Sequence, residues 1–235
     1  MTQSAKILCV ALGAAAVAAT SLPAEAALTV REESIVPIAA FTANGNEAAL
    51  KGALETGLKN GLTVTEIRSV LEQMYAYTGF PRSLTGLGVF VNLLKEHKAD
   101  GIEDATGREA KPLPANTSIR ELGTKTQTTL IGRPAAGPVY DFSPNIDTYL
   151  KEHLFGDIFA NDILTWRERE LATVSALAAL PAPVQLRSHL NVCLNVGLQP
   201  DELKEFADVV AKKVGEKQGK LALDSVNAVL KARGK

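Results

Sequence analysis

The stretch LTWRERELATVSAL, Leu164 to Leu177, repeats without a gap the pattern of LTVREESIVPIAAF, Leu28 to Phe41. The two stretches are related by a shift of 136 residues, 164 less 28. The same shift places LKGALETGLKNGLTVTEI, Leu50 to Ile67, on LRSHLNVCLNVGLQPDEL, Leu186 to Leu203. One register over two such stretches indicates an internal duplication.

Both copies carry the same signals for helices. Thr29-x-x-Glu32 and Thr165-x-x-Glu168 are capping boxes, in which the Thr oxygen accepts from a free backbone N–H and the Glu reaches back to the cap. The helix that follows in each copy ends at Gly61 or Gly197, because glycine readily adopts the left-handed conformation that closes a helix. We therefore predict an all-α protein made of two tandem helical units.

Composition divides the chain into four parts. Residues 1–26 are a predicted signal peptide, residues 27–98 the first helical unit, residues 99–142 a connecting arm and residues 143–235 the second unit. The arm is rich in Pro and Gly, with one short helix predicted behind its Ser118-x-x-Glu121 box. A structureless loop of this length is uncommon inside a compact domain, so we expect the arm to wrap the core or a neighbouring subunit.

The first residues predict export. Lys6 precedes an apolar run, Ile7 to Ala19, and Ala24-Glu25-Ala26 matches the small-x-small pattern of signal-peptidase sites. The run is shorter than the ~20 residues that cross a bilayer. We predict a periplasmic or secreted protein without a membrane anchor after processing.

Charge and cysteine content restrict the partners. The formal net charge is −1 and no basic stripe alternates with aromatic residues, so nucleic acid is not an expected partner. A small-molecule substrate is expected instead. Cys9 lies in the predicted signal, which leaves Cys193 as the one cysteine of the mature chain and excludes an internal disulfide.

Two ionisable residues of the second unit fall on apolar helix faces. Glu170 shares its face with Val174 and Leu177, and His189 shares its face with Leu186 and Cys193. Such groups can exchange protons, but a buried salt bridge or a satisfied core histidine would show the same pattern.

The duplication helps to separate these alternatives. In the common register Glu170 falls on Ser34, His189 on Ala53 and Cys193 on Gly57. The first unit therefore folds without these polar groups. This favours a functional reason for the Glu and His of the second unit.

Three segments carry a resemblance to a known family. RERELATVSALAAL and QLRSHLNVCLNVGL in the second unit, with LEQMYAYTGFPRSL in the first, resemble the carboxymuconolactone decarboxylase family, which includes the AhpD-like alkylhydroperoxidases. The resemblance implies an AhpD-like helical fold and a homo-oligomer, a trimer or a hexamer. Glu170 and His189 match the family's Glu and His.

The thiol branch of that family carries two cysteines, seven and four residues before the His. Here those positions are Ala182 and Gln185, so the redox pair is absent. A one-cysteine peroxidase that uses Cys193, with Gln185 near it in the pocket, remains an alternative function.

The decarboxylase branch implies chemistry without a cofactor. Glu170 and His189 would relay a proton during decarboxylation or isomerisation of a small carboxylated or lactone substrate. Arg167 or Arg169 could bind a substrate carboxylate, neutralise Glu170, or remain surface charges. The predicted export argues against the family's namesake reaction, which belongs to cytoplasmic aromatic catabolism.

A composite pocket is a further hypothesis. The first unit keeps Tyr75 and Tyr77 where the second has Ala211 and Lys213, so these tyrosines could form an aromatic lid, from the same chain or a neighbour, or only pack an interface. No metal site is predicted, because His153 and Asp157 lack a third ligand. A non-catalytic oligomeric binding protein is the third function that the sequence leaves open.

Overall fold

The computed structural model describes residues 27–234, and over that range the protein is all α, as predicted, without a strand. The predicted signal peptide lies outside the described residues. In chain order the helices are α1 Val30–Asn44, α2 Glu47–Lys59, α3 Val64–Gln73, α4 Tyr75–Ala99, α5 Ile119–Ile131, α6 Pro138–Phe142, α7 Pro144–Thr148, the π-helix π1 Tyr149–Ile158, α8 Trp166–Ala179, α9 Pro183–Asn195, α10 Pro200–Lys213 and α11 Glu216–Ala232.

The duplication is visible in the helix starts. The helices α1, α2 and α3 begin at residues 30, 47 and 64, and α8, α9 and α10 begin at residues 166, 183 and 200. Each pair of starts differs by the 136 residues of the sequence register. Both predicted capping boxes form, with Thr29 and Thr165 as the N-caps. The chain therefore contains two tandem copies of one helical unit.

The centre of the molecule is the contact between α1 and α8. These two helices are buried along most of their length, because neither has a polar face wide enough to meet water. The core cluster of the second unit contains Val36 of α1, and that of the first contains Ala172 of α8. The two copies thus share their central helices.

The arm, residues 99–142, follows the surface of this same chain. Its backbone carbonyls at Ala105 and Thr106 accept from the N–H groups of Val64 and Thr65, both at 2.9 Å. These are N–H groups of the first turn of α3, which have no partner within the helix. The predicted short helix of the arm is α5, which has 13 residues.

The second unit opens with two helical segments ahead of α8, namely α7 and π1. A π-helix of this length is rare, and π geometry is often found at functional sites. It packs closely against α5, since a Cβ atom on Gly123 would lie 1.6 Å from the carbonyl oxygen of Lys151. No helix among residues 27–234 combines the length and the apolar character that a membrane crossing requires.

Candidate active site

A cavity of about 130 Å³ lies between the second unit and the arm. Its walls come from α5, π1, α8 and α9, with Tyr140 of α6 at one side. Apolar side chains such as Leu130, Leu154 and Phe155 form much of the surface. The helix α8 contributes Glu170 and α9 contributes His189, so both ionisable residues singled out in the sequence line this cavity.

Glu170 and His189 are in direct contact. The Nδ1 atom of His189 lies 2.9 Å from Oε2 of Glu170. The carboxylate is 1% exposed and the imidazole 16% exposed. The helical spacing of α8 and α9 turns both side chains inward, and the packing of the two helices brings the pair together.

This contact determines which nitrogen of His189 is available. An ionised carboxylate only accepts hydrogen bonds, so Nδ1 carries the hydrogen and donates it to Glu170. The other nitrogen, Nε2, has no hydrogen-bond partner within residues 27–234. It can therefore take a proton from a bound molecule or return one, while Glu170 stabilises the charged imidazolium.

Two buried polar atoms at the cavity are unsatisfied. Oε1 of Glu170 and Oε1 of Gln127 have no hydrogen-bond partner in the described part of the chain. A buried polar atom without a partner costs about 1–3 kcal/mol, so such atoms are rare unless they have a function. Both residues line the cavity, where a polar ligand can supply the hydrogen bonds.

Gln127 was missed at the sequence level. It lies on α5 between Gly123 and Leu130, each about one turn away, on a buried face. The buried face of the predicted arm helix was the signal that could have identified it.

Tyr75 and Tyr77 of the first unit occupy different environments in the structure. The ring of Tyr77 meets His189 edge-on, with centroids 5.7 Å apart and planes at 81°. Burial, reinforced by the negative charge of Glu170, raises the pKa of the Tyr77 phenol well above its usual range, so the phenol stays neutral. Tyr75 instead stacks on Phe80 with centroids 4.5 Å apart and lies beside His153.

The cover of the cavity therefore differs from the hypothesis of an aromatic lid. Tyr77 packs edge-on against His189, and neither Tyr77 nor Tyr75 lines the cavity. The wall opposite the dyad comes from α5 and π1, because the arm returns across the second unit and packs there.

Arg167 links helices and does not line the cavity. It binds the Gly197 carbonyl at 3.0 Å and Glu202 at 2.9 Å, and it also contacts Glu32. In the first unit Arg31 binds the Gly61 carbonyl and Glu66 in the same way. Arg167 is therefore the second copy of a repeated helix-to-helix link.

Arg169 is buried at the junction of the two units, 1% exposed. It donates to Oε1 of Gln73 at 3.0 Å and to the Asn161 carbonyl at 2.9 Å. Burial lowers the pKa of Arg169 to about 10, which still leaves it charged at neutral pH. Neither Arg169 nor Arg167 lines the cavity or hydrogen-bonds Glu170.

Cys193 lies in the hydrophobic core, with no exposed surface, and is absent from the cavity wall. Burial, with a further contribution from the Glu170 charge, raises the pKa of the Cys193 thiol well above its usual value. A buried, protonated thiol is a poor nucleophile, which argues against the one-cysteine alternative. Gln185, at the position of a family cysteine, does line the cavity.

The other two histidines offer a comparison. His97 pairs with Asp104 at 2.9 Å and His153 with Asp157 at 2.7 Å, but neither histidine lines the cavity. Among residues 27–234 no group of three or more His, Cys, Asp and Glu side chains is arranged to hold a metal ion.

Comparison with known proteins identifies two matching regions. The model of the carboxymuconolactone decarboxylase family matches residues 9–91 and 144–216, about two thirds of the chain. A curated relative, 4-carboxymuconolactone decarboxylase of Acinetobacter baylyi, is 33% identical over 66 residues. That alignment covers 28% of this chain and 49% of the relative, so the chain spans about half the length of the curated relative it matches.

Proposed function

The chain belongs to the carboxymuconolactone decarboxylase family, and on this premise we propose that it is a cofactor-free enzyme whose Glu170–His189 pair transfers a proton on a small carboxylated or lactone substrate. The reaction is a decarboxylation or an isomerisation. One observation carries the proposal: a buried carboxylate orients the Nδ1–H of a histidine that lines a largely apolar cavity.

The geometry suits a proton relay. When a carboxylated unsaturated lactone loses CO₂, the electron pair of the broken C–C bond passes into the ring as a dienolate, which a proton must then quench. His189 in its imidazolium form donates that proton from Nε2, and Glu170 stabilises the charge before the transfer. For an isomerisation, Nε2 removes a proton from one carbon and returns it to another.

The cavity itself supports this chemistry. Its largely apolar walls and the burial of Glu170 lower the local dielectric constant, which strengthens the interaction between Glu170 and an imidazolium. The side-chain N–H groups of Gln127 and Gln185, which both line the cavity, can donate to a lactone or enolate oxygen. We propose that these two residues polarise the substrate while the dyad moves the proton.

We further propose that the protein acts outside the cytoplasm, in the periplasm or after secretion, as a homo-oligomer. The pattern of residues 1–26 supports export. Large apolar side chains exposed in and beside α6 support self-association: Val139 is 65% exposed and Phe142 92% exposed. The curated relative is named for 4-carboxymuconolactone, and we expect a related acid or lactone to be the substrate here.

The test uses NMR spectroscopy in D₂O with 4-carboxymuconolactone and other unsaturated carboxylated γ-lactones. We expect turnover, or incorporation of deuterium at carbon, with at least one member. General acid–base catalysis contributes about 10²–10⁴-fold, so His189→Gln should lower the rate by at least about 100-fold.

His153→Gln is the matched control, because it removes a histidine that also pairs with a carboxylate but lies outside the cavity. Equal rates in the unaltered protein and the folded His189→Gln variant would overturn the proposal. A protein that binds these compounds without turnover or exchange would instead be the non-catalytic binding protein.

A further inference from the structure

A second cleft adjoins the cavity of the Glu170–His189 pair. Its volume is about 390 Å³. Four residues line both spaces: Ile131, Tyr140, Ser188 and Val192. The cleft and the cavity are therefore direct neighbours. We call this larger and more open space the outer cleft, and the space beside His189 the inner cavity.

Arg233 is held at the edge of this outer cleft. Its Nε donates to Oδ1 of Asn191 at 2.9 Å, and its Nη2 donates to the Asn191 carbonyl at 3.0 Å and to Oδ1 of Asn195 at 2.9 Å. All three acceptors are neutral. The guanidinium is thus oriented by α9 without a carboxylate partner among residues 27–234.

Arg133, which belongs to the arm, lines the same cleft. It forms no salt bridge with any residue of the described range, and no Asp or Glu lines the cleft. Arg108 and Arg120, elsewhere on the arm, each bind a carboxylate. The cleft therefore contains two guanidinium groups that form no salt bridge within residues 27–234.

The inner cavity is less suited than the outer cleft to binding a carboxylate. Its walls include no Lys or Arg, and Glu170 already occupies it with a negative charge. Placing a second carboxylate there would be costly, because an unpaired buried charge loses its hydration. An inner cavity of about 130 Å³ is close to the roughly 150 Å³ that encloses a benzene-sized molecule.

We propose that Arg133 and Arg233 form an anion subsite that binds a substrate carboxylate in the outer cleft while the ring of the same substrate enters the inner cavity beside His189. The inference rests on the proposed function. It defines the substrate class as a cyclic, unsaturated acid or lactone acid whose reacting carbon lies on the far side of the ring from a carboxylate. Arg133 and Arg233 take the role that the sequence suggested for Arg167 or Arg169.

The test measures binding by titration calorimetry with two defined probes. One is 5-oxotetrahydrofuran-2-carboxylate, a carboxylated γ-lactone, and the other is γ-butyrolactone, the same ring without the charge. We expect the acid to bind about tenfold or more tightly than the neutral ring, as expected for charge-assisted hydrogen bonds.

The decisive variants are Arg133→Gln and the double variant with Arg233→Gln. Each should weaken binding of the acid, by about tenfold or more in the double variant, and leave the neutral ring unaffected. Arg133 makes no hydrogen bond through its side chain within the described residues, so its substitution should leave folding intact. Arg187→Gln is the matched control, since it removes an equal charge from α9 outside both spaces.

The two proposals fail differently. Equal affinity for the two probes, or an equal loss in Arg187→Gln, overturns the anion subsite even if His189→Gln abolishes turnover. If the arginine variants lose the acid selectively but His189→Gln still turns over substrate, the subsite stands and the proposed role of His189 is wrong. The His189→Gln variant should keep its preference for the acid.

Discussion

The Nδ1 atom of His189 lies 2.9 Å from Oε2 of Glu170, and the two residues come from consecutive helices of the second unit. The equivalent residues of the first unit are Ser34 and Ala53, which cannot form such a contact. One copy of the fold therefore contains the pair and the other is built without it.

Glu170→Gln tests the carboxylate of this pair. The amide keeps the size of the side chain but cannot stabilise an imidazolium by charge, so we expect turnover to fall about 100-fold or more. The unfolding free energy should change little, because the equivalent helices of the first unit fold without a Glu–His pair. The measurement is the initial rate in D₂O together with chemical denaturation, and an undiminished rate would remove Glu170 from the mechanism.

Arg167→Met should affect stability and leave chemistry unchanged. The guanidinium links α8 to Glu202 and Glu32, whose side chains are 8% and 9% exposed. Loss of these charged hydrogen bonds should lower the unfolding free energy by about 2 kcal/mol. Arg31→Met, the same change in the first unit, should cost less, since Arg31 and Glu66 are more exposed. Weaker substrate binding in a stable Arg167→Met protein would contradict this assignment.

Acid should weaken both copies of this link. Burial raises the pKa of Glu66 and of Glu202, but the hydrogen bonds and charge of Arg31 and Arg167, together with the hydrogen bonds at the helix N-caps, leave each pKa below the ordinary value of 4.5. Above that pH the glutamates are ionised in the folded and unfolded chain, and the stabilisation is complete. Below it the unfolded chain binds protons first, so the unfolding free energy falls until the folded pKa is passed.

The measurement is chemical denaturation between about pH 7 and pH 3, across the range where carboxylates titrate. The double variant Glu66→Gln and Glu202→Gln should be less stable at neutral pH and lose less stability on acidification. An identical pH dependence in the variant and the unaltered protein would show that other carboxylates dominate.

Cys193 should be unreactive in the folded protein. Its thiol is fully buried and its pKa is raised by that burial, so a disulfide reagent should modify it only as the chain unfolds. Reaction with 5,5′-dithiobis(2-nitrobenzoate) can be followed with and without guanidinium chloride. Cys193→Ala should retain proton-transfer activity, whereas rapid peroxide consumption that this substitution abolishes would restore the one-cysteine alternative.

Gly123→Ala should displace the wall of the cavity. The added Cβ would lie 1.6 Å from the Lys151 carbonyl, so α5 and π1 must separate. Overpacking of this kind costs about 1–3 kcal/mol or more, and turnover should fall as Leu154 and Phe155 move. Gly88→Ala is the control, because its Cβ meets nothing within 4 Å and should stabilise α4 by about 0.5–1 kcal/mol. Unchanged stability in Gly123→Ala would mean that the two helices adjust without strain.

Much of the fold was predictable because its signals are local. Thr29 and Thr165 cap helices through hydrogen bonds with residues three positions further on, so the sequence pattern alone identifies both helix starts. The inward position of Glu170 and His189 follows from helical periodicity alone. The four predicted segments of the chain remain a proposal about domain boundaries.

The partners of the arginines could not be predicted in this way. Arg167, Arg169 and Arg233 are all charged residues in or directly after helices, yet one links two helices, one is buried against Gln73 and one faces a cleft. Which of these happens depends on which helix lies opposite. Gln127 was overlooked for the same reason, since its contact with the cavity depends on the path of the arm.

The two copies of the helical unit, the positions where their helices begin, and the presence of Glu170 and His189 in one copy alone can all be read from short sequence patterns. Helix starts and helix faces depend on residues within one or two turns of each other. The wall that the arm adds to the cavity, and the cleft beside it with Arg133 and Arg233, are seen only in the folded chain. Those relationships join residues far apart in the chain, and they arise from the packing of α5 against π1 and of Arg233, directly after α11, against α9.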